Sequence, residues 1–250
     1  MRTFHVRPEA INHQRVEFDQ EDTHHLSRVL RLTPGDTIQA VDGMGTAYTI
    51  RLEKVSAKAA SGIILARTHA VTESPFALTL AQGVPKGDKM EWVVQKATEL
   101  GVNRILPLLT ERVVVRLDPG RWRERARRWQ RIAKEAAKQA GRGEIPTVEH
   151  PLPLVDLCAR PPEVDCAICL WEGERRGLKE ALRGIPAPRS ALLLVGPEGG
   201  LSLQEVEALR AKGFHGASLG PRILRSESAS VVGITLLQYL YGDLGSGTPT

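Results

Sequence analysis

The spacing of apolar residues along this 250-residue chain changes once, near residue 76. Before that point, the segments "RTFHV" (2–6), "QRVEF" (14–18) and "SGIILART" (61–68) have the composition and length of short strands. The segment "TIQAVDGMGTAYTIRLEKV" (37–55) alternates around "DGMG" and predicts a hairpin. Residues 22–32 predict one short helix with Leu26, Val29 and Leu30 on its inner side. We therefore expect residues 1–72 to form a small β-barrel-like domain, with "TESP" (72–75) as the linker.

After residue 76, buried strands alternate with helices. The strands are "FALTLAQGV" (76–84), "NRILPLL" (103–109), "DCAICLWE" (165–172), "SALLLVGPE" (190–198) and "HGASLG" (215–220). Helices are predicted over 87–101, 118–143, 202–213 and 227–242, with Asp88, Asp118 and Ser202 as N-terminal caps. Ser202 and Glu205 predict a capping box, and Gly141 is predicted to end the second of these helices. This alternation predicts an α/β domain with a mainly parallel sheet over residues 76–243, followed by a disordered tail at 244–250.

Composition narrows the class of protein. An apolar content of 42% is ample for a packed core, and a net charge of +5 suits an anionic partner. Of the three cysteines, Cys166 and Cys169 form "CAIC" inside an apolar run, which favours buried strand residues over a redox or zinc site. No segment has the length of a membrane span and the N-terminus lacks a signal-peptide pattern, so we expect a cytoplasmic chain with reduced cysteines.

Two loops have residues suited to a ligand site. "LLLVGPEGG" (192–200) ends a strand in a glycine-rich turn, where ligands of open α/β sheets bind. Its spacing fits neither a dinucleotide fingerprint nor a Walker A loop, and a plain tight turn remains the alternative. "LGPRILRSESA" (219–229) also lies between a strand and a helix, where Ser226 and Glu227 suit the helix N-terminus. Capping does not explain Arg225, which either binds a phosphate or base carbonyl or pairs with Glu198 or Glu227.

Basic residues cluster in two further segments. The helix over 118–143 has a basic face that suits a nucleic-acid backbone or, alternatively, a solvated surface. The segment "THHLSRVLRL" (23–32) adds His24, His25, Arg28 and Arg31 in the first domain, as an RNA-contacting edge or as cap and surface residues. Adjacent histidines on a helix point in different directions, so no metal site is expected there.

The stretches "HHLSRVLRL", "KGDKMEWVVQKATELGV", "ERVVVRL", "RWQRIAKEAAKQAGR", "LLLVGPEGGLSLQE" and "LGPRILRSESA" together resemble the SPOUT superfamily of methyltransferases. Within it, the chain most resembles the family that methylates N3 of a uridine in the decoding region of 16S ribosomal RNA. Ser228 replaces a usual threonine and Val113 a common serine. The resemblance implies a PUA-like RNA-binding barrel, then a SPOUT α/β domain with a C-terminal trefoil knot. It also implies a homodimer acting on 16S rRNA or the small ribosomal subunit, with no metal and no membrane.

The resemblance implies that three loops, at 170–173, 194–200 and 219–229, bind S-adenosylmethionine. The implied cofactor residues are Leu170, Trp171, Glu172, Leu194, Val195, Gly196, Pro197, Glu198, Gly199, Gly200, Leu219, Gly220, Ile223, Leu224, Arg225, Ser228 and Ala229. The implied RNA-binding residues are Arg2, Arg7, His25, Arg28, Arg31, Lys86, Lys96, Arg112 and Arg142.

Uridine N3 becomes a nucleophile only when its proton leaves. On this basis Arg225 is expected to stabilise the charge that develops on the base, and Glu198 or Glu227 to accept the proton. The alternatives are a SPOUT enzyme acting on a ribose 2′-OH or a tRNA base, and an RNA-binding module without activity.

Overall fold

The computed structural model describes residues 3–70, 72–114 and 118–246. The chain divides into two compact units. The first comprises Met1–Glu73 and Ala137–Ile145, and the second comprises Ser74–Ala136 and Pro146–Thr250. The first unit is discontinuous in sequence, which the linear change of period at residue 76 did not indicate.

The first unit is built on a six-stranded sheet, in the order β1-β4-β5-β6-β3-β2 among the described residues. Its strands are β1 (Thr3–His5), β2 (Ile11–Asn12), β3 (Arg15–Glu17), β4 (Thr37–Val41), β5 (Thr46–Val55) and β6 (Ala60–His69). The predicted hairpin forms, since β4 and β5 pair antiparallel on either side of residues 42–45. Alternate residues of β4, β5 and β6 enter one apolar cluster, as the period of two requires.

The observed segment over residues 22–32 differs from the single helix predicted there. An α-helix, α1 (Gln20–His24), continues into a π-helical segment over His25–Val29, closed by Leu30 N–H donating to the His25 carbonyl at 2.9 Å. The wider π turn changes the phase of the side chains that follow it. Leu26 is fully buried as predicted, but Val29 is 54% and Leu30 37% exposed, so their predicted inward position is wrong.

The second unit contains a parallel sheet in the order β10-β8-β7-β12-β11-β13, with β9 paired to β8. The strands are β7 (Ala77–Gly83), β8 (Arg104–Leu109), β9 (Thr147–Val148), β10 (Leu152–Pro153), β11 (Cys166–Leu170), β12 (Ser190–Val195) and β13 (His215–Ala217). Successive residues of β12 enter two different apolar clusters, one on each face of the sheet. Both faces are therefore covered, which explains the continuous apolar runs of β7 and β12.

Helices cover both faces of this sheet. They are α2 (Lys89–Glu99), α3 (Pro119–Ala140), α4 (Leu154–Ala159), α5 (Leu178–Ala181), α6 (Leu203–Ala211) and α7 (Ser226–Tyr241). Residues of α2, α3, α5 and α7 enter one cluster, and residues of α4 and α6 enter the other. The predicted capping box of α6 is present, with Ser202 and Glu205 bonding each other's backbone N–H.

All three cysteines are buried free thiols, two of them in β11. Burial raises the pKa of Cys169 to about 12, so this thiol is protonated and unreactive at neutral pH. Across the described ranges, no cluster of three or more histidine, cysteine or acidic residues could hold a metal ion. Within the same ranges, every helix is too short or too polar to cross a bilayer.

Candidate active site

A pocket of about 890 Å³ lies at the carboxyl ends of β11, β12 and β13. Because β12 and β13 both pair with β11, the loops that follow the three strands meet at one edge of the sheet. We call them the first loop (171–177), the glycine turn (196–201) and the arginine loop (218–225). The pocket volume is in the range that holds a small-molecule ligand or cofactor.

The glycine turn needs glycine at two positions for different reasons. Gly200 has φ of +71°, in the left-handed region, and its N–H donates to the Pro197 carbonyl at 2.9 Å. Gly196 is closely packed, since an added Cβ would lie 3.1 Å from the Leu201 side chain. On the sheet side, a Cβ on Gly83 would lie 2.5 Å from the Pro197 nitrogen. The end of β7 therefore supports the turn directly, with no intervening side chain.

Backbone hydrogen bonds join the first loop to the β13 strand and the arginine loop. Trp171 N–H donates to the Ala217 carbonyl at 3.1 Å, and Ser218 N–H donates to the Arg176 carbonyl at 2.8 Å. Arg210 contacts the Trp171 ring, 5.7 Å from its centre, and pairs with Glu174 at 2.8 Å. These contacts, which are all within the protein, fix the first loop against β13 and the arginine loop without a ligand.

The arginine loop presents apolar side chains to the pocket. Leu219 and Leu224 are partly exposed, and Ile223 is 89% exposed. An apolar side chain this exposed at a pocket wall loses unfavourable hydration when a flat apolar ligand covers it. Arg225 follows as the N-cap residue of α7 and is exposed at the pocket. Within the described ranges, its guanidinium has no ion pair.

Lys89 holds the two carboxylates that the sequence offered as partners of Arg225. Its Nζ lies 2.9 Å from Glu198 Oε1 and 3.6 Å from Glu227 Oε1. Glu198 also accepts from the backbone N–H of Lys86, at 3.1 and 3.2 Å to its two oxygens. The alternative in which Arg225 forms a structural pair with Glu198 or Glu227 is therefore not observed among the described residues.

These contacts set the charge states at the pocket. Partial burial would raise the pKa of Glu198, but the hydrogen bonds from Lys89 and from backbone N–H groups lower it below its ordinary value. The hydrogen bond to Glu198 is also the main reason that the pKa of Lys89 is raised. Glu198 is a carboxylate and Lys89 an ammonium at neutral pH.

Comparison with known proteins identifies the family. A model described as "RNA methyltransferase domain" matches residues 72–238, and an "RNA methyltransferase PUA domain" matches residues 18–65. The ribosomal RNA small subunit methyltransferase E of Bacillus subtilis is 36% identical over 224 residues, covering 88% of each chain. The chain belongs to the ribosomal RNA small subunit methyltransferase E family. The Synechocystis member is 35% identical over 94% of this chain and 76% of its own length.

Solved structures agree with membership of the methyltransferase E family and of its SPOUT fold class. The Neisseria gonorrhoeae enzyme, bound to S-adenosyl methionine, aligns with a TM-score of 0.83 and 33% identity, over 97% of this chain and 99% of its own. A Legionella pneumophila structure described as a putative methyltransferase in complex with bound cofactor SAM aligns with a TM-score of 0.81 and 32% identity, over 96% and 98%.

In this family member, most of the predicted cofactor residues line the pocket. They are Leu170, Trp171, Glu172, Val195, Gly196, Pro197, Glu198, Gly200, Leu219, Gly220, Ile223, Leu224, Arg225 and Ala229. Leu194, Gly199 and Ser228 are not among the lining residues, and neither is Glu227. Gly199 instead accepts from Arg112 Nη1 at 2.9 Å, behind the turn.

Sequence reasoning missed Lys89 and Gln82. Lys89 is the first residue of α2, where the helix dipole disfavours a cation, and this misplaced charge was the signal that could have found it. Gln82 had a weaker signal, a polar amide at the end of an apolar strand.

The predicted RNA-binding residues are in different environments. Arg2 lies outside the described residues. Arg7, Arg28, Arg31 and Lys86 are exposed, while His25 packs edge-on against Phe4 and Lys96 pairs with Glu99. Arg142 is only 4% exposed, and its Nη2 lies 2.6 Å from Glu73 Oε2. Arg142 therefore stabilises the first unit internally, and the structure contradicts its prediction as an RNA contact.

Proposed function

We propose that this protein transfers a methyl group from S-adenosylmethionine to N3 of a uridine in small-subunit ribosomal RNA. The observation that carries the proposal is the pocket formed by three loops at the carboxyl edge of β11, β12 and β13. It is supported by relatives named small-subunit ribosomal RNA methyltransferases and by the Neisseria gonorrhoeae structure, which has S-adenosyl methionine bound.

The residues of the pocket fit this cofactor. Leu219, Ile223 and Leu224 offer apolar walls to an adenine ring, and the glycine turn offers backbone groups that a ligand can approach closely. When bound, S-adenosylmethionine supplies an electrophilic methyl group on a sulfonium. Positioning the acceptor nitrogen in line with that group is a large part of what the loops contribute.

Arg225 is proposed to face the uracil. Loss of the N3 proton spreads negative charge onto O2 and O4, and a cation beside either oxygen stabilises the transition state. Arg225 is exposed at the pocket and has no ion pair among the described residues. The two nearby carboxylates, Glu198 and Glu227, form ion pairs with Lys89 instead. The Arg225 guanidinium is therefore available to the substrate.

Between the two candidate proton acceptors, the geometry favours Glu198. Glu198 lines the pocket, whereas Glu227 does not, and Glu227 Oε2 is buried with no hydrogen-bond partner among the residues that the structure describes. The lowered pKa of Glu198 keeps it ionised but also weakens it as a base. We therefore propose that the proton leaves by way of water next to Glu198, with charge stabilisation by Arg225 as the larger contribution.

A second copy of the chain is the proposed partner of α7. This helix exposes Val232, Leu236, Tyr239 and Leu240, and the adjacent α2 exposes Trp92. Apolar side chains grouped on neighbouring helices are typical of subunit interfaces.

Action on ribosomal RNA further fits a cytoplasmic protein, and the exposed arginines of α3 suit the phosphate backbone of that RNA.

Calorimetry tests the cofactor assignment. The purified chain is titrated with S-adenosylmethionine, with NAD and ATP as controls. We expect selective binding of S-adenosylmethionine at a single site in each chain. Titration in the presence of small-subunit RNA then separates a site completed by RNA from a module without activity, because the latter binds no cofactor under either condition.

A further inference from the structure

The side chain of Gln82 is fully buried at the end of β7, although it carries both a hydrogen-bond donor and an acceptor. Burying an amide is costly unless its hydrogen bonds are made. The next residue, Gly83, contacts Pro197 of the glycine turn. Gln82 does not line the pocket, so any role it has in the reaction is exerted through its neighbours.

The hydrogen bonds of Gln82 reach two separate parts of the pocket. Its Nε2 donates to Ser226 Oγ at 2.9 Å, to its neighbour Gly83 O at 2.9 Å and, more weakly, to Gly196 O at 3.4 Å. Its Oε1 accepts from the Ser230 hydroxyl. Ser226 Oγ in turn donates to Gly196 O at 2.5 Å. The result is a closed network in which every member is buried or backbone.

This network joins the opening residue of the glycine turn to the first two turns of α7. Gly196 and Ser226 both line the pocket, and Ser226 directly follows Arg225. A shift of Ser226 relative to Gly196 would therefore move Arg225 relative to the glycine turn. Buried polar networks of this kind specify one arrangement when they are fully satisfied.

We propose that Gln82 is a positioning residue that sets the distance between the glycine turn and the N-terminus of α7, and so the placement of Arg225 over the bound substrate. The inference rests on the proposed function. Misplacement of a reacting group by about 1 Å costs roughly a hundredfold in rate, so the loss of this amide should act mainly on catalysis.

The chain offers a matched control in Gln238, which is also fully buried but lies on α7, about three turns after Ser226. Its Oε1 accepts from Ser74 Oγ at 2.7 Å and its Nε2 donates to Gly101 O at 3.1 Å. None of these residues lines the pocket. Gln82→Met and Gln238→Met thus remove the same buried amide at comparable volume, one beside the pocket and one away from it.

The experiment compares the full-length wild type with both variants. Melting temperature, S-adenosylmethionine affinity and single-turnover methylation of small-subunit RNA are measured for each. We expect both variants to melt at lower temperature, but only Gln82→Met to lose roughly 10- to 100-fold in methylation rate. Ser230→Ala, which removes only the hydroxyl bonded to Gln82 Oε1, serves as a milder second variant and should lower the rate in the same direction.

Equal effects of Gln82→Met and Gln238→Met on the methylation rate and on S-adenosylmethionine affinity would overturn the inference. A folded, fully active Gln82→Met, together with a wild-type rate in Ser230→Ala, would also overturn it. A wild-type chain that binds no S-adenosylmethionine, with or without RNA, would overturn the proposed function itself, and that result is obtained before any variant is compared.

Discussion

Replacing Arg142 by methionine should destabilise the first unit by about 3–5 kcal/mol, the usual consequence of removing one member of a buried ion pair. The Arg142 and Glu73 side chains are only 5% and 9% exposed. Arg142 donates to Glu73 Oε2 from Nη2 at 2.6 Å and from Nε at 3.2 Å. Without the guanidinium, the Glu73 carboxylate stays buried with no counter-ion.

The structure also predicts how far a second substitution restores stability. Glu73 Oε1 accepts from the backbone N–H of Glu144 at 3.0 Å, and glutamine keeps this acceptor. The double variant Glu73→Gln/Arg142→Met therefore has no charge at these two positions. The side-chain N–H of the introduced glutamine, however, loses the hydrogen-bond partner that position 142 would have to supply. We expect the double variant to be about 1–3 kcal/mol less stable than wild type, a smaller loss than in the single variant.

Hydrogen exchange measures this loss in the first unit alone. Peptides from β4, β5 and β6 report the opening of that unit. In Arg142→Met their protection should fall roughly a hundredfold to several thousandfold, since about 1.4 kcal/mol corresponds to a factor of ten. Peptides from β12 and α7, in the second unit, are the internal reference.

Two results would refute this reasoning. One is protection in Arg142→Met within about threefold of wild type, far below the change expected for a buried pair. The other concerns RNA: the folded double variant should bind small-subunit RNA as wild type does. A drop of about 0.7–0.9 in the salt slope of binding would instead make Arg142 a phosphate contact.

Three further predictions concern the second unit. Arg225→Ala should lower the single-turnover methylation rate by roughly 10²–10³-fold and leave S-adenosylmethionine affinity within a few-fold by calorimetry; a collapse of affinity would make the residue structural. Replacing three exposed arginines of α3 by glutamine should weaken the salt dependence of RNA binding; the three are Arg123, Arg127 and Arg131. The slope of the logarithm of the RNA-binding constant against the logarithm of salt concentration should fall in magnitude by about 0.7 for each RNA phosphate that is no longer neutralised. The control variant Arg104→Gln should leave this slope unchanged. Because its folded pKa is lowered, Glu198 contributes stability that is present above the unfolded glutamate pKa and is lost as pH falls through the folded value. Lys89→Met should therefore destabilise the protein at neutral pH, and the difference in melting temperature from wild type should shrink on acidification; a constant difference between neutral pH and pH 3 would contradict it.

Local signals in the sequence predicted the elements that local chemistry decides. The Ser202–Glu205 capping box of α6 and the left-handed Gly141 after α3 are present. The glycine turn and the arginine loop both follow strands and meet at one pocket. Each depends on residues within a few positions of one another, where propensity and backbone sterics act.

Contacts between distant segments were not predictable in this way. Gln82 bonds Ser226 across 144 positions, and Lys89 bonds Glu198 across 109. Nothing in the sequence separates Arg142 from the surface arginines, and only the fold places it against Glu73, 69 positions away. Such pairs follow from strand order, which a single sequence with no internal repeat leaves open. The trefoil knot implied by the family resemblance stays a prediction, as do the homodimer and the roles of individual site residues.

The most direct test of the proposed function maps the transferred methyl group. Small ribosomal subunits are incubated with the protein and S-adenosylmethionine bearing an isotopically labelled methyl group, and the digested RNA is analysed by mass spectrometry. The proposal predicts label on N3 of one uridine of the small-subunit RNA, appearing roughly 10²–10³-fold more slowly when Arg225→Ala replaces the wild type under the same conditions. Label on a ribose 2′-oxygen or in tRNA, or no label from a chain that binds both cofactor and RNA, would contradict it.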